Sequence, residues 1–238
     1  MKKLDFRDLI IYEDINYLAI NKPPGISTLE DRANENHLLS MARIHFQDIQ
    51  VCHRIDKDTS GVLIFAKNPD SYKHLSMQFQ NREVNKTYHA IVQGQTNFNR
   101  HEVNMPLNVK TQGKVKWDQK SGKESITYFS TIQNFKSNSL LECIPITGRR
   151  HQIRVHLDYL NYSIVGDSMY GGDFIYLSQI KRKYKPGLQE ERPIINRMAL
   201  HAKVVTFKSS DNTIKTIEAD YPKDFNILIK QLNKFSKI

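Results

Sequence analysis

The sequence lacks features that would assign it to several common classes of protein. Its 238 residues contain two cysteines, Cys52 and Cys143, whose spacing fits neither a metal site nor a redox pair. No apolar run is long enough for a membrane-spanning helix. The first residues turn acidic before the apolar region of a signal peptide could form. These absences favour a protein of the reducing cytoplasm and predict no membrane association.

Sequence motifs for several kinds of chemistry are also missing. The chain has no Walker loop, dinucleotide-binding glycine fingerprint, nucleophile elbow or Cys-x-x-Cys pair. Histidine is frequent, but His151 and His156 are five residues apart, whereas a helical zinc pair needs positions i and i+4. His53, His151 and His201 could converge only through folding, so structural histidines are favoured over ligands. We therefore expect no metal and no cofactor.

Acidic residues are in the minority. Lys and Arg together number 35, against 25 for Asp and Glu, which gives a formal net charge of +10. A polyanion such as nucleic acid is the natural partner of such a chain, although many soluble proteins are basic without binding nucleic acid. The densest basic run, 181–185, lies within 174–197. We interpret 174–197 as an insertion that faces RNA or, equally well, as solvated surface.

Apolar periodicity predicts an α+β protein. Strands are expected at 9–21 (two strands around a turn), 50–56, 62–67, 88–92, 114–117, 123–134, 139–146, 201–207 and 214–219, and helices at 38–46, 69–82, 148–160 and 222–235. We expect 114–117, 123–134 and 139–146 to form a hairpin or meander, 201–207 and 214–219 to form another hairpin, and 222–235 to be a closing amphipathic helix. Strands outnumber helices and short turns join most neighbours, so we expect a mixed, mostly antiparallel sheet with peripheral helices. We predict that 1–238 forms a single domain.

The most informative segment is His-Arg-Ile-Asp-Lys-Asp-Thr-Ser-Gly at 53–61. If its start is extended, Arg54 and Asp56 share one face and Ile55 points into the core. Asp58 and the following Thr-Ser-Gly are typical of a turn. A carboxylate and a guanidinium presented together at the end of a strand indicate a functional site.

Two further segments carry polar and aromatic residues in patterned positions. The predicted strand at 86–94 places Lys86 and Tyr88 on one face, and a flat aromatic ring is suited to stacking on a pyrimidine. The predicted helix in 147–157 has Arg and His in its first turns, as a phosphate-binding site would. The segment 166–172, Gly-Asp-Ser-Met-Tyr-Gly-Gly, follows it.

Together these segments resemble the RluA-type RNA pseudouridine synthases. The segment 53–61 is similar to the family's His-Arg-Ile-Asp-x-x-Thr-Ser-Gly motif, and 86–94 is similar to its Lys-x-Tyr-x-Ala-x-Val-x-Gly strand. The segments 147–157 and 166–172 are similar to its Gly-Arg-x-His-Gln-Ile-Arg-x-His-Leu helix and its Gly-Asp-x-x-Tyr-Gly loop. Weaker matches are Asn-Lys-Pro-Pro-Gly at 21–25 and Leu-His-Ala at 200–202. All of these segments appear in the family order, which makes the set more specific than any single segment.

The sequence also departs from the family's pattern. Many members carry an S4 RNA-binding domain before the catalytic domain, whereas this chain begins almost at the first predicted strand, so we expect a stand-alone catalytic domain. Lys208-Ser209-Ser210 stands where members often have His-Pro after the Leu-His-Ala strand.

The resemblance implies the pseudouridine-synthase fold with a central active-site cleft, and isomerisation of a uridine in ribosomal or transfer RNA to pseudouridine. Asp56 would be catalytic, by attack on the sugar, attack on the base or removal of a sugar proton. Tyr88 would stack on the uracil, Arg154 would hold Asp56, and Arg54 would fill the gap left by the flipped base. The other expected substrate contacts are Lys86, Arg149, Ile153 and Leu157.

A different class of function remains as an alternative. The same scaffold could serve a non-catalytic RNA-binding or RNA-chaperone protein. The presence of Asp56, Tyr88 and Arg154 together argues against that reading. In either case we expect a cytoplasmic monomer whose partner is RNA.

Overall fold

Strands supply most of the regular structure, as the alternating apolar pattern predicts. The computed structural model describes residues 4–30, 37–109, 114–184, 187 and 190–238. Along the chain its strands and α-helices are β1 (Ile10–Glu13), β2 (Tyr17–Lys22), α1 (Leu38–Arg43), β3 (Gln50–Val51), β4 (Ser60–Ala66), α2 (Pro69–Gln80), β5 (Asn85–Gln93), β6 (His101–Asn104), β7 (Leu107–Val109), β8 (Val115–Trp117), β9 (Ile126–Asn134), β10 (Asn138–Pro145), α3 (Gln152–Tyr159), α4 (Leu177–Ile180), β11 (Leu200–Lys208), β12 (Ile214–Glu218) and α5 (Lys223–Phe235).

The chain divides into two compact units. The first unit comprises Met1–Thr87 and His201–Tyr221, and the second comprises Tyr88–Leu200 and Pro222–Ile238. The prediction of one domain over 1–238 stays a prediction. In the region 174–197, α4 forms a short helix, and Lys185 of the basic run lies outside the described residues. None of the helices in the described ranges is long and apolar enough to cross a membrane.

The first unit is built on a mixed sheet. Its strand order is β1-β2-β4-β11, with β12 beside β11 and β3 beside β4. The β4–β11 pair is parallel, and the other pairs are antiparallel. This arrangement confirms the predicted mixed, mostly antiparallel sheet. The predicted hairpin at 201–207 and 214–219 is present as β11 and β12.

Strand β4 is buried along its whole length. Alternate side chains of a strand point to opposite faces of the sheet, so β4 contributes to two apolar clusters. One cluster joins Val62 and Ile64 to Leu75 of α2, and the other joins Leu63 and Phe65 to α1. The sheet of the first unit is therefore covered on both faces, which makes β4 a rigid base for the loop that precedes it.

The second unit carries an antiparallel sheet in the order β5-β10-β9-β6. The hairpin expected from 123–134 and 139–146 is present as β9 and β10. The prediction that 114–117 belongs to the same meander is wrong, because β8 pairs with β7 in a separate two-stranded sheet. The closing amphipathic helix predicted at 222–235 is α5.

The strand predicted at 50–56 is also wrong in extent, since β3 ends at Val51. The Cys52 N–H still bonds to the Ile64 carbonyl at 3.1 Å. The next rung is made by a side chain, because the Ile64 N–H donates to Nε2 of His53 at 3.1 Å. An imidazole thus replaces a backbone carbonyl, and the chain leaves the sheet at this point.

Because His53 stays neutral in the folded protein, we expect the free energy of unfolding to fall in acid. Burial, aided by the positive charge of Lys86, lowers the pKa of His53 to about 3, against about 6.5 in an unfolded chain. As the pH falls below about 6.5, the unfolded chain takes up a proton that the folded protein does not. We expect His53→Gln, which keeps an acceptor for Ile64, to reduce the loss of unfolding free energy between pH 7 and pH 4.5 by about 2 kcal/mol.

Chemical denaturation at each pH measures this difference. His101→Gln is the control, because His101 is exposed on β6 and should leave the pH dependence of wild type unchanged. Parallel stability curves for wild type and His53→Gln would show that His53 does not stay neutral in the folded protein.

Candidate active site

The loop that carries Asp56 is fixed by a buried lysine. Lys22 has no exposed surface, and its ammonium donates to the carbonyls of Pro23, Ile26 and Lys57 at 2.9, 2.9 and 2.8 Å. The backbone N–H of Gly25 donates to the same Lys57 carbonyl at 2.9 Å. The Lys-Pro-Pro-Gly turn at 22–25 and the Asp56 loop are therefore joined by the Lys22 ammonium and by a backbone hydrogen bond from Gly25.

The exit from the Asp56 loop is fixed by strand β11. His201, fully buried, bonds to Ser60 Oγ through Nδ1 at 3.0 Å and faces the Ala219 carbonyl through Nε2 at 3.1 Å. Gly61 has φ +113°, and a Cβ there would lie 2.1 Å from the Ala202 carbonyl oxygen. Only glycine fits so close an approach. The weak Leu-His-Ala match at 200–202 thus holds the Thr-Ser-Gly turn in place.

Within the loop, burial follows the predicted alternation although 53–56 is not a strand. Ile55 is buried at 6% exposure, Arg54 is exposed, and Asp56 is partly buried. The Thr28 hydroxyl donates to the Ile55 carbonyl at 3.3 Å. The Thr59 N–H donates to the Asp56 carbonyl at 3.1 Å and closes the turn. The core thus anchors Ile55, while Arg54 reaches solvent.

Lys86 brings positive charge close to the start of this loop. Its charge acts on His53, the residue just before Arg54, and helps to lower the pKa of His53. Burial lowers the pKa of Lys86 itself to about 8. The ring of His53 stacks on Phe79 of α2, with centroids 4.7 Å apart. The predicted substrate contact Lys86 therefore lies near the Asp56 loop within the first unit.

In the second unit, Tyr88 and Arg154 occupy rigid elements. Tyr88 lies on β5 opposite Cys143 of β10 and is partly buried. Arg154 lies in the first turn of α3 and is 8% exposed. Arg149 is exposed before α3, and its Nε donates to the Glu124 carbonyl at 3.1 Å.

The guanidinium of Arg154 forms a fork with Asp167. Nε donates to Oδ2 at 2.6 Å and Nη2 donates to Oδ1 at 2.7 Å, and both side chains are buried. The guanidinium carbon also lies 4.9 Å from the ring centre of Tyr170. The Gly-Asp-x-x-Tyr-Gly loop therefore orients Arg154.

The helix predicted at 148–160 begins later, at Gln152. His151 precedes it in the left-handed conformation, with φ +54°, and its Nδ1 bonds to the Tyr170 hydroxyl at 2.9 Å. The carboxamide oxygen of Gln152 accepts from the Arg149 N–H at 3.0 Å and from the Thr147 hydroxyl at 2.6 Å. These bonds hold 147–151 as a turn, which a pattern of apolar spacing does not reveal.

Ile153 and Leu157 lie in the interior. Ile153 is 6% exposed and Leu157 has no exposed surface. Their expected contact with substrate stays a prediction.

The predicted site residues are shared between the two units. Arg54, Asp56 and Lys86 belong to the first unit; Tyr88, Arg149, Ile153, Arg154 and Leu157 belong to the second. The prediction that Arg154 holds Asp56 stays a prediction.

Sequence reasoning missed the residues that position these groups. They are Lys22, Gln152, Asp167, Tyr170 and His201. Each lies within a segment that matched the family pattern, so the motifs contained the signal, but no single residue type revealed the supporting role.

Comparison with known proteins agrees with this geometry. The pattern of the RNA pseudouridylate synthase family matches residues 16–159. The chain belongs to the RNA pseudouridylate synthase family. It is thus an enzyme that isomerises uridine in RNA to pseudouridine, and the non-catalytic alternative is not supported.

Relatives of this chain span most of its length. It is 37% identical over 238 residues to the ribosomal large subunit pseudouridine synthase C of Buchnera aphidicola subsp. Baizongia pistaciae, covering 95% of this chain and 71% of that protein. It is 38% identical over 165 residues to the dual-specificity RNA pseudouridine synthase RluA of Vibrio cholerae, covering 68% of this chain and 67% of that protein. The solved structure of human RNA pseudouridylate synthase domain containing 4 shares the fold, with a TM-score of 0.73 at 21% identity over 96% of this chain and 95% of that one.

Replacement of Lys22 by methionine should loosen the Asp56 loop. Methionine fills similar space but leaves the partly buried carbonyls of Pro23 and Ile26 without this donor, and each such loss costs about 1–3 kcal/mol. We expect the free energy of unfolding to fall by about 3 kcal/mol. Lys57→Met is the control, because that side chain is exposed in the same loop and only its carbonyl is used. Equal stability of the two variants would contradict the role of Lys22.

Replacement of Arg154 by alanine should cost stability through Asp167. The change leaves a buried carboxylate without its fork, which costs on the order of 3–5 kcal/mol. Arg150→Ala, an exposed change just before α3, should stay within about 0.5 kcal/mol of wild type. Urea denaturation compares the two variants. Wild-type stability of Arg154→Ala would show that the ion pair contributes nothing.

Proposed function

We propose that this enzyme isomerises specific uridines in ribosomal or transfer RNA, with Asp56 as the catalytic residue. The observation that carries the proposal is the backbone clamp on the Asp56 loop, in which Lys22 and Gly25 both bond to the Lys57 carbonyl. These two bonds fix the main chain next to Asp56, so the fold itself sets the position of the residue that the family motif marks as catalytic. The names of the bacterial relatives support ribosomal RNA, and one of them is named as having dual specificity.

In the proposed reaction the N-glycosidic bond of the uridine breaks, the uracil turns, and a ring carbon rejoins the ribose. Asp56 attacks the sugar, attacks the base or removes a sugar proton, and each of these routes needs the ionised carboxylate. Tyr88 stacks on the uracil. Arg154 is already oriented by Asp167 and donates hydrogen bonds to the Asp56 carboxylate as its second anionic partner.

The remaining predicted residues serve the RNA in this proposal. Arg54, exposed beside Asp56, enters the space left by the displaced base. Lys86 and Arg149 contact phosphate or ribose as cations, and Ile153 and Leu157 support the pocket. We further propose a cytoplasmic monomer that binds RNA without membrane association or cofactor.

The substrate is tested by mapping pseudouridine in ribosomal and transfer RNA from a strain that lacks the gene. A site that loses pseudouridine in that strain and regains it on incubation with the purified protein identifies the target. Unchanged maps of both RNA classes would rule out the proposed substrates.

Asp56→Asn should abolish the reaction. Asparagine keeps the shape of the side chain and removes its charge, so we expect turnover to fall by at least about three orders of magnitude. Affinity for RNA and melting temperature should change little. Asp58→Asn is the matched control in the same loop, because asparagine also serves in turns. Substantial pseudouridine formation by Asp56→Asn would contradict the assignment.

A further inference from the structure

Two aromatic side chains of the second unit remain largely exposed next to each other. Trp117 at the end of β8 is 50% exposed, and Tyr159 at the end of α3 is 57% exposed. Their ring centroids are 6.3 Å apart, and the ring planes are inclined at 47°. At this inclination neither ring covers the face of the other, so ring faces remain available for stacking. A single exposed apolar side chain is ordinary, but an exposed aromatic pair is a less common use of surface.

Trp117 and Tyr159 lie at the edge of a small apolar cluster to which neither side chain belongs. Val115, on the same face of β8 as Trp117, is 1% exposed and packs with Leu107, Val155 and Tyr170. The Val115 N–H also bonds to the Tyr170 hydroxyl at 3.0 Å. Packing therefore already fixes β8 against α3 through Val115. Trp117 extends past this core towards solvent.

The segment that carries Trp117 is basic, while exposed Asp158 directly precedes Tyr159. The segment 114–123, Lys-Val-Lys-Trp-Asp-Gln-Lys-Ser-Gly-Lys, has four lysines and one acid. Its acid, Asp118, accepts hydrogen bonds from the backbone N–H groups of Lys120 and Ser121 and from Asn108, so it serves the local turn. Lys116 and Lys120 are exposed. Aromatic rings among cations are the combination that binds single-stranded nucleic acid.

The pair is also connected to the proposed active site within the second unit. Tyr170 bonds to Val115 of β8 and lies under the guanidinium of Arg154. Tyr159 and Arg154 are on the same helix, five residues or about 7.5 Å apart along its axis. Arg154 and the aromatic pair thus belong to one packed region of the second unit.

We propose that Trp117 and Tyr159 form a stacking platform for unpaired bases that flank the target uridine, with Lys116 and Lys120 contacting the adjacent phosphates. This inference rests on the proposed function, because it takes RNA as the substrate. The platform accounts for affinity and not for chemistry. It gives the enzyme a grip on single-stranded RNA outside the pocket for the target base.

Trp117 is the only tryptophan in the chain, so intrinsic fluorescence reports on the platform directly. A single-stranded oligoadenylate of about ten nucleotides forms no base pairs with itself and offers no uridine to convert. We expect it to quench the tryptophan emission with the same dissociation constant that fluorescence anisotropy of labelled RNA gives. Binding by anisotropy with unchanged tryptophan emission would overturn the proposal.

Substitutions separate stacking from a structural role. Trp117→Ala and Tyr159→Ala should each weaken oligoadenylate binding by roughly 5- to 100-fold, whereas Trp117→Phe retains a ring and most of the affinity. For a structured RNA substrate, Trp117→Ala should raise KM and leave kcat unchanged. A variant that lowers the melting temperature but binds RNA as wild type does would overturn the platform and assign the pair to packing or to a protein partner.

The lysines have an independent test. Replacing Lys116 and Lys120 with alanine should reduce the slope of log K against log salt by about 1.4, at about 0.7 per phosphate on a single strand. Lys230→Ala, an exposed lysine on α5, should leave the slope unchanged. An unchanged slope in the double variant would overturn the phosphate contacts. These binding measurements need no turnover. If oligoadenylate quenches Trp117 as expected but the protein forms no pseudouridine, the proposed enzymatic function is refuted and the stacking platform is not.

Discussion

The geometry of the first unit depends on one buried ammonium group. Removing a charge from water costs several kcal/mol, and three backbone carbonyls around Lys22 Nζ offset that cost. Those carbonyls come from two loops, so the ammonium is satisfied only when the loops lie together. The loop before β4 therefore owes its shape to main-chain carbonyls that converge on one side-chain ammonium.

In the second unit, the buried charge of Arg154 is compensated by an ion pair instead of by backbone carbonyls. Arg154 and Asp167 neutralise each other, and the aromatic ring of Tyr170 supports the guanidinium from one side. Asp167 is thereby the residue that fixes the orientation of Arg154 within the second unit.

The sequence predicted most strands because their apolar alternation is local, but it missed what long-range contacts decide. Strand 50–56 was shortened by a bond from Ile64 to the His53 ring, and the start of α3 was displaced by the Gln152 carboxamide. Both bonds depend on residues that come together only in the fold. The candidate catalytic residues came from motif resemblance. The roles of the supporting residues could not be predicted in this way. A motif shows that a lysine or tyrosine is present, but not whether that residue holds a loop or contacts substrate.

Burial divides the basic residues into two populations with different consequences. Lys22 and Arg154 are buried and act on fixed partners, so salt scarcely screens them. Arg54, Arg149, Lys116 and Lys120 are exposed, and exposed cations are the ones that release counterions on binding RNA. The net charge of +10 therefore does not by itself give the number of cations that can contact phosphates. The salt dependence of RNA binding should follow the exposed group, while the orientation of the loops should persist at high salt.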